Sequence, residues 1–433
     1  VSIASFAPSS VVIAVAISVP VFARLSSRSR ARRRPRARRT TTRDHLRALF
    51  ARASSRRARR RREVRTRRPP SQTTSQSRAM PRVFVPGRVC LLGEHSDWAG
   101  ARAARDGPGA CVVVGTREGV SARCDVGEGP RFRVVGADGD AFECDVSVDD
   151  ALEREASSGG YWSYVAGTAL EVLRRFPRCR ERGLVVETLE TTLPTRKGLS
   201  SSACVCVLVA RCFGVAYELD LELKDEMELA YRGEAVHTPS KCGAMDQACA
   251  YGSERVVALT FDGEDVDVRA CEVGGEIHIV VCDLAASKST VRILADLQGA
   301  FDRGDEALRS ALGARNRALV AEGLDAIKRG DARALGAVYT RAQTTFDEAA
   351  IHICPSELTA PRLRETLAAV AHDVPETVFG AKGVGSQGDG AAQFVAVSEA
   401  AAKTLRQYLH DFSGGRFKVF DVVLRDEERH ART

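Results

Sequence analysis

Three consecutive serines in LPTRKGLSSSACVCVLVARCFG (193–214) are the first residues whose types and spacing indicate chemistry. They stand between a basic stretch and a run, Ala203 to Phe213, that is apolar nearly all round and typical of a buried helix. The serines therefore fall at a helix N-terminus, where unpaired N–H groups and the helix dipole can bind an anion. An ordinary N-cap with spare serines is the equally open alternative.

A second segment, EAVHTPSKCGAMDQ (234–247), holds two carboxylates twelve residues apart. Glu234 shares one face of a predicted helix with Met227 and Tyr231. Burying a carboxylate on such a face is costly unless it meets a cation, so the helix pattern favours a salt bridge to an arginine slightly over a metal ligand. Asp246 follows among small residues and is either a helix cap or a working group.

A third segment, PGRVCLLGEHSDWAG (86–100), places three polar side chains in a predicted loop after a strand. Glu94, His95 and Asp97 could hydrogen-bond a hydroxyl-rich ligand there. A metal site is the weaker alternative, because no second cluster of histidine and carboxylate is evident. Trp98 either stacks on a sugar ring or packs in the interior.

Taken in chain order, these segments resemble the motifs of the GHMP kinases, the superfamily of galactokinase, homoserine kinase, mevalonate kinase and phosphomevalonate kinase. PGRVCLLGEHSDWAG is most similar to the sugar-binding signature of galactokinases, and LPTRKGLSSSA to the phosphate-binding loop. GAKGVGSQGDGAAQF (380–394) is similar to the third motif. EAVHTPSKCGAMDQ has the spacing of the metal-binding glutamate and catalytic aspartate of galactokinases. The resemblance covers about 81–433.

The resemblance implies an α+β fold of two domains. The first, 80–272, is expected to be similar to the second domain of ribosomal protein S5, and the second, 273–433, to be ferredoxin-like, with the active site between them. Strand and helix patterns alone place the boundary near 265–275. Within the second domain, the glycine-rich segment 380–390 is predicted to be a turn.

The resemblance also implies site residues. Asp246 is expected to accept or orient the proton of the substrate hydroxyl, and Arg88 to stabilise the attacking oxygen. Glu94, His95 and Asp97 are expected to hold the sugar. The implied ATP-binding residues are Lys197, Gly198, Leu199, Ser200, Ser201, Ser202, Ala203 and Gly385. Ser202 and Glu234 are the implied ligands of Mg²⁺, a hard cation that prefers oxygen.

Some positions depart from the family pattern. Arg196 stands where the phosphate-binding loop usually has glycine, and with Lys197 it either neutralises phosphate charge or recognises an anionic substrate. Gln387 and Asp389 replace small residues in the third motif, and Trp98 replaces a tyrosine. These changes bear on the identity of the substrate and leave the reaction class unchanged.

The predicted function is an ATP- and Mg²⁺-dependent small-molecule kinase that transfers the γ-phosphate to a sugar hydroxyl, with the anomeric hydroxyl as a candidate. The alternatives are a mevalonate-type kinase and a galactokinase-like sensor that binds sugar and ATP without useful turnover. Glu234 and Asp246 favour an enzyme over a sensor, and the EHSD segment (94–97) favours a sugar over mevalonate.

Charge divides the chain into two unlike parts. Residues 1–80 hold 22 arginines, no lysine and two acids, whereas 81–433 hold 42 basic and 54 acidic residues, a net charge of −12. Counterion release on nucleic acid needs clustered basic residues, so the kinase region is not expected to bind nucleic acid. The arginine-rich stretch cannot bury a core and is predicted to be disordered.

The segment 1–79 is therefore interpreted as a disordered leader. Its apolar run VVIAVAISVPV (11–21) is too short to span a bilayer and has the size of a signal-peptide apolar region. The segment is either a targeting leader or absent from the mature protein, since Met80 directly precedes the first strand; a basic nucleic-acid-binding arm is a third option. The predicted location is the cytoplasm, or a plastid or other organelle if the leader is genuine, without stable membrane insertion. Thirteen scattered cysteines without a CxxC pattern indicate free thiols in a reducing compartment.

Overall fold

The computed structural model describes residues 80–102, 107–136, 138–193 and 200–426. The leader 1–79 lies outside the described residues, and so do Arg196, Lys197, Gly198 and Leu199 of the predicted phosphate-binding loop. None of the helices within the described ranges is long and apolar enough to cross a membrane.

The first half of the described chain builds one twisted sheet of seven strands. In chain order these are β1 (Arg82–Leu92), β2 (Gly109–Val126), β3 (Arg131–Val135), β4 (Ala141–Asp145), β5 (Leu184–Thr191), β6 (Val256–Asp262) and β7 (Asp265–Ala270). Their order is β4–β3–β5–β2–β6–β7, with β1 paired to β2, and the pairing is antiparallel except between β3 and β5. The long β2 is shared by three neighbours and forms the centre of the sheet.

Helices pack against this sheet. They are α1 (Ser96–Arg102), α2 (Asp150–Ala156), α3 (Tyr161–Arg175), α4 (Ser201–Ala216) and α5 (Leu223–Ala235). The apolar α4 packs on β1, β2, α3 and α5, and its residues from Ala203 to Ala210 are all buried. The buried helix that its composition predicts is therefore confirmed.

The second half builds a four-stranded antiparallel sheet in the order β11–β8–β10–β9. Its strands are β8 (Ile277–Asp283), β9 (Val378–Gly383), β10 (Ala391–Ala396) and β11 (Lys418–Leu424). The helices around it are α6 (Thr290–Asp302), α7 (Glu306–Ser310), α8 (Asn316–Arg329), α9 (Ala332–Ala350), α10 (Pro355–Leu358), α11 (Pro361–Asp373) and α12 (Glu399–Phe412).

Two local predictions are wrong. The segment 380–390 is not a turn throughout, because its first residues, up to Gly383, pair with β10 in strand β9. Nor is 94–97 wholly a loop: Asp97 lies in the first turn of α1, whose start is held by bonds from Ser96 Oγ to the carbonyls of Gly93 (2.6 Å) and Ala110 (2.8 Å). In both places hydrogen bonds to neighbouring elements override the local glycine content.

One hydrophobic core includes side chains from both sheets. Val89 of β1 and Leu208 of α4 belong to the same cluster as Val281 of β8 and Leu424 of β11, and the described residues form one compact unit. The first sheet ends at Ala270 and the second begins at Ile277. The two-domain division at 272/273 stays a prediction.

Candidate active site

Arg88 and Asp246, 158 residues apart, form an ion pair. The pairing of β1 with β2 slips between Pro86 and Arg88, and such a bulge re-aims the side chain that follows it. The Arg88 side chain is buried at 4% exposure, whereas that of Asp246 is 26% exposed. Asp246 is the first residue of a short 3₁₀ helix, Asp246–Tyr251, whose N-cap position is taken by Met245. The helix-cap alternative is therefore wrong, and part of the carboxylate stays accessible.

Asp97 lies beside this pair. Its Oδ2 accepts a hydrogen bond from the backbone N–H of Met245 (3.3 Å). A Cβ on Gly243 would lie 2.2 Å from the same oxygen, so only glycine lets the 243–245 segment pass this close to the carboxylate. Burial, helped by the negative charge of Asp246, raises the pKa of Asp97 to about 6.

Glu234 of α5 is a third carboxylate near Asp246 and is 2% exposed. It accepts hydrogen bonds from Gln247 Nε2 (2.8 Å), from Ser240 Oγ (3.3 Å) and from the Ser202 side chain. Burial, followed by the charge of Asp246, raises the pKa of Glu234 to about 7. Its hydrogen-bond partners in the described part of the chain are neutral, so the arginine salt bridge that the helix pattern favours is not formed there.

The start of α4 is strained. Ser200 is the N-cap residue, with φ 59° and ψ 44° in the left-handed region, and its hydroxyl is buried without a hydrogen-bond partner among the described residues. The side-chain oxygen of an ordinary N-cap accepts a hydrogen bond from a backbone N–H of the first helical turn. Ser200 makes no such bond, so that alternative is wrong. Strained residues of this kind concentrate where ligands bind.

Glu94 and His95 lie in the short segment between β1 and α1. Glu94 is ion-paired with the buried Lys382 of β9. His95, at φ 66°, accepts a hydrogen bond at Nδ1 from the indole N–H of Trp98 (3.1 Å) and stacks on Phe346 at 5.4 Å. Burial lowers the pKa of His95 to about 4, so its ring is neutral at pH 7.

Trp98 packs in the interior. It is 3% exposed, and its ring meets Phe301 edge-on at 5.5 Å. Of the two alternatives for this residue, packing is the one that the structure supports. Its contact with the site is indirect, through the hydrogen bond that fixes the His95 tautomer.

The third motif forms the turn between β9 and β10. Gly385 stands in it at φ 64°, and Lys288 Nζ donates to the carbonyl oxygens of Gln387 (2.5 Å) and Val384 (3.4 Å). Asp389 accepts the backbone N–H of Leu363 (2.8 Å) near the start of α11. The unusual aspartate of this motif therefore serves a structural contact.

The thiol of Cys90 lies near both ion pairs, Arg88–Asp246 and Glu94–Lys382, because charges from each of them act on it. Its pKa is raised chiefly by burial and then by the charge of Glu94, while Lys382 and Arg88 oppose the change. Asp97 also acts on this thiol. The structure thus brings together four predicted site residues from segments far apart in the chain: Arg88, Glu94, Asp97 and Asp246.

Sequence reasoning missed residues that complete the site: Lys382, Gly243, Ser240, Gln247 and Lys288. A lysine inside a strand of small residues, GAKG, is a signal that could have found Lys382. The described residues contain no group of three or more histidine, cysteine or acidic side chains able to hold a metal ion. A magnesium ion bound through one carboxylate, a hydroxyl and substrate phosphates needs no such group.

Comparison with known proteins identifies the fold. Residues 163–253 match the family model described as GHMP kinases N terminal domain. A galactokinase from Lactococcus lactis, solved with galactose, superposes with a TM-score of 0.60 at 18% identity, covering 78% of this chain and 92% of that one. The Methanococcus jannaschii mevalonate kinase superposes with a TM-score of 0.61 at 15% identity, covering 80% and 98%. The chain has the GHMP kinase fold.

Comparison by sequence also finds similarity to galactokinases. The galactokinase of Chloroflexus aggregans is 32% identical over 207 residues, 46% of this chain and 47% of the relative. The chain thus aligns with about half the length of this curated relative. The structural matches at 14–18% identity include both galactokinase and mevalonate kinase, so the fold does not distinguish between the two substrates.

Proposed function

We propose that the protein is a kinase that transfers the γ-phosphate of ATP to a hydroxyl of a neutral sugar. The observation that carries the proposal is the partly exposed Asp246 carboxylate, fixed by the buried Arg88 and flanked by Asp97 and Glu234. The galactokinase relatives support a sugar as the phosphate acceptor.

In this proposal Asp246 orients the substrate hydroxyl and accepts its proton as the oxygen attacks phosphorus. Arg88 holds the carboxylate in place and stabilises negative charge on the attacking oxygen. Phosphoryl transfer needs little covalent help, because positioning and charge neutralisation supply most of the rate enhancement. In this proposal Asp246 and Arg88 supply the positioning and the charge neutralisation.

The residues at the start of α4 fit a nucleotide and Mg²⁺. Ser200 has a buried hydroxyl without a partner, and Ser202 reaches Glu234. A buried carboxylate whose pKa stands near 7 has no cation beside it in the described chain, and oxygen ligands suit a hard divalent ion. Mg²⁺ held by Ser202 and Glu234 would neutralise phosphate charge. Lys197, Gly198, Leu199 and Gly385 remain proposed ATP-binding residues.

Electrostatics favour a neutral sugar over an acidic one. The two buried cations of the described cluster, Arg88 and Lys382, are each already paired with a carboxylate. Asp97, whose pKa is about 6, adds further negative charge at neutral pH and above. A uronic acid would bring its carboxylate next to these acids, and like charges raise the energy of the bound state. Arg196 and Lys197 are then assigned to the phosphates of ATP.

A substrate screen tests the proposal. Turnover with ATP and Mg²⁺ is measured on matched pairs, galactose with galacturonic acid and glucose with glucuronic acid, and on mevalonate, with Asp246→Asn as the control for contaminating kinases. We expect a neutral sugar to have the highest kcat/KM, and ³¹P NMR of the product to show whether the anomeric oxygen is phosphorylated. Efficient turnover of mevalonate without sugar activity would contradict the proposal. Binding of sugar and ATP without turnover would instead favour a sensor.

A further inference from the structure

The ion pair between Glu94 and Lys382 joins the two sheets. Glu94 follows β1 of the first sheet and Lys382 lies on β9 of the second, 288 residues away. Glu94 is 8% exposed and Lys382 1% exposed. A buried charge of this kind is stable only when its partner and its hydrogen bonds are in place.

The Lys382 ammonium is enclosed by specific contacts. Besides Glu94, it donates to the carbonyl oxygen of Gly383 (3.1 Å) and lies 5.5 Å from the centre of the Tyr339 ring. The Tyr339 hydroxyl donates to Gln393 Oε1 (3.1 Å), and Gln393 Nε2 donates to the carbonyl oxygen of Cys90 (2.8 Å) on β1. The lysine is thus held by a buried polar network that returns to the strand carrying Arg88.

We infer that Lys382 is a positioning residue for the sugar: its ion pair fixes the place of the Glu94 carboxylate, so that Glu94 can accept hydrogen bonds from a sugar hydroxyl. The inference rests on the proposed function. Lys382 itself does not touch the reacting atoms and acts through Glu94. Without the ammonium, the buried carboxylate would lose its charge partner and its fixed position, and a displaced acceptor makes a weaker hydrogen bond.

The test compares Lys382→Met with the same substitution at Lys403, an exposed residue of α12. For each variant and the wild type, kcat and the KM values for ATP and for the neutral sugar of the screen are measured. We expect Lys382→Met to raise the sugar KM roughly 10- to 100-fold, the range for a lost charge-assisted hydrogen bond, with the ATP KM within about twofold. Lys403→Met should match the wild type.

The two KM values separate positioning from a merely structural role. In Lys382→Met a displaced Glu94 raises the KM for the sugar and leaves the KM for ATP unchanged. A structural defect would lower the active fraction, and with it kcat, while leaving both KM values unchanged, which would overturn the inference.

A second variant covers the case in which Lys382→Met does not fold. Glu94→Gln/Lys382→Met carries no unpaired buried charge, and we expect its sugar KM to equal that of Glu94→Gln alone. A further rise in sugar KM on adding Lys382→Met to Glu94→Gln would overturn the inference, since Lys382 would then act independently of Glu94. A wild type that phosphorylates no sugar refutes the proposed function, whereas an active wild type with an unchanged Lys382→Met variant refutes only this inference.

Discussion

Single carboxylates in the candidate site differ in their surroundings, and that difference supports the roles proposed for them. Asp246 is ion-paired and partly exposed, whereas Asp97 and Glu234 are buried and have raised pKa values. An exposed carboxylate fixed by a cation is suited to orient a substrate hydroxyl. A buried carboxylate such as Glu234, which has no cationic partner among the described residues, is suited to bind a cation.

The first prediction at this scale concerns Asp246. Asp246→Asn keeps the size of the side chain and removes the proton acceptor, so kcat should fall at least roughly 100-fold with little change in ATP affinity. Steady-state kinetics and nucleotide titration measure both quantities. The exposed Asp411→Asn on α12 is the matched control. Near-normal turnover by Asp246→Asn would remove this residue from the mechanism.

The second prediction concerns the pH dependence of stability. The pKa of Glu234 is about 7 in the folded protein and 4.5 in its ordinary state. A raised folded-state pKa stabilises the protein fully below pH 4.5, and this contribution is lost as pH rises through 7. Glu234→Gln, which cannot ionise, should therefore become more stable than the wild type as pH rises from 5 to 8, by up to about 3 kcal/mol.

Urea unfolding at pH 5, 6, 7 and 8 without Mg²⁺ measures this difference. Asp97 also has a raised pKa, but it is present in both proteins and largely cancels. Stability curves that stay parallel across this range would show that Glu234 ionises normally in the folded protein.

At the scale of elements, backbone geometry brings these side chains together. The slip in the pairing of β1 with β2 precedes Arg88, and the left-handed Ser200 begins α4. Gly243 lets the segment before the 3₁₀ helix pass over Asp97. Each feature places one functional side chain, so a change in the backbone should alter activity without removing any reacting group.

Gly243→Ala tests this point. The added Cβ would lie 2.2 Å from Asp97 Oδ2, so the segment or the carboxylate must move, at a cost of about 1–3 kcal/mol in stability. We expect a fall of roughly 10-fold or more in kcat/KM for the sugar, because small displacements of positioning groups are costly. The control is Gly299→Ala in α6, where the added Cβ meets only the end of the Arg303 side chain, at 3.2 Å. Equal activity of the two variants would contradict the prediction.

At the scale of the whole molecule, the core that spans both sheets determines how the protein unfolds. Val89 and Leu208 belong to the same buried cluster as Val281 and Leu424. Neither half can therefore lose its sheet without exposing apolar surface of the other. Such sharing is expected to make unfolding cooperative.

A chain beginning at Met80 should keep full activity and unfold in urea in a single transition. The composition of 1–79 gives it no core to contribute, and the shared core couples the two sheets. Far-ultraviolet circular dichroism and tryptophan fluorescence should give coincident curves; both tryptophans, Trp98 and Trp162, lie in the first half of the described chain. Loss of activity on truncation would show that the leader has a structural role, and separate transitions would show that the halves fold independently.

The amino-acid sequence determined the local elements around the site. Helix periodicity predicted 161–176, and the structure has Tyr161–Arg175; the strand-like LVVETLET coincides with β5. The serines at the start of α4 and the helix that carries Glu234 were also found. These features depend on residues within one or two turns of each other. Hydrophobic periodicity and the residues at helix ends therefore predict them directly.

The tertiary structure alone decided which distant side chains meet. Nothing local indicates that Arg88 pairs with Asp246 or that Lys382 reaches Glu94. Likewise, local pattern left Trp98 undecided between a sugar ring and the interior, and burial against Phe301 settled it. These contacts depend on strand register and on the packing of one sheet against the other. A side chain's neighbours are then set by residues hundreds of positions away, whose effect no short stretch of sequence contains.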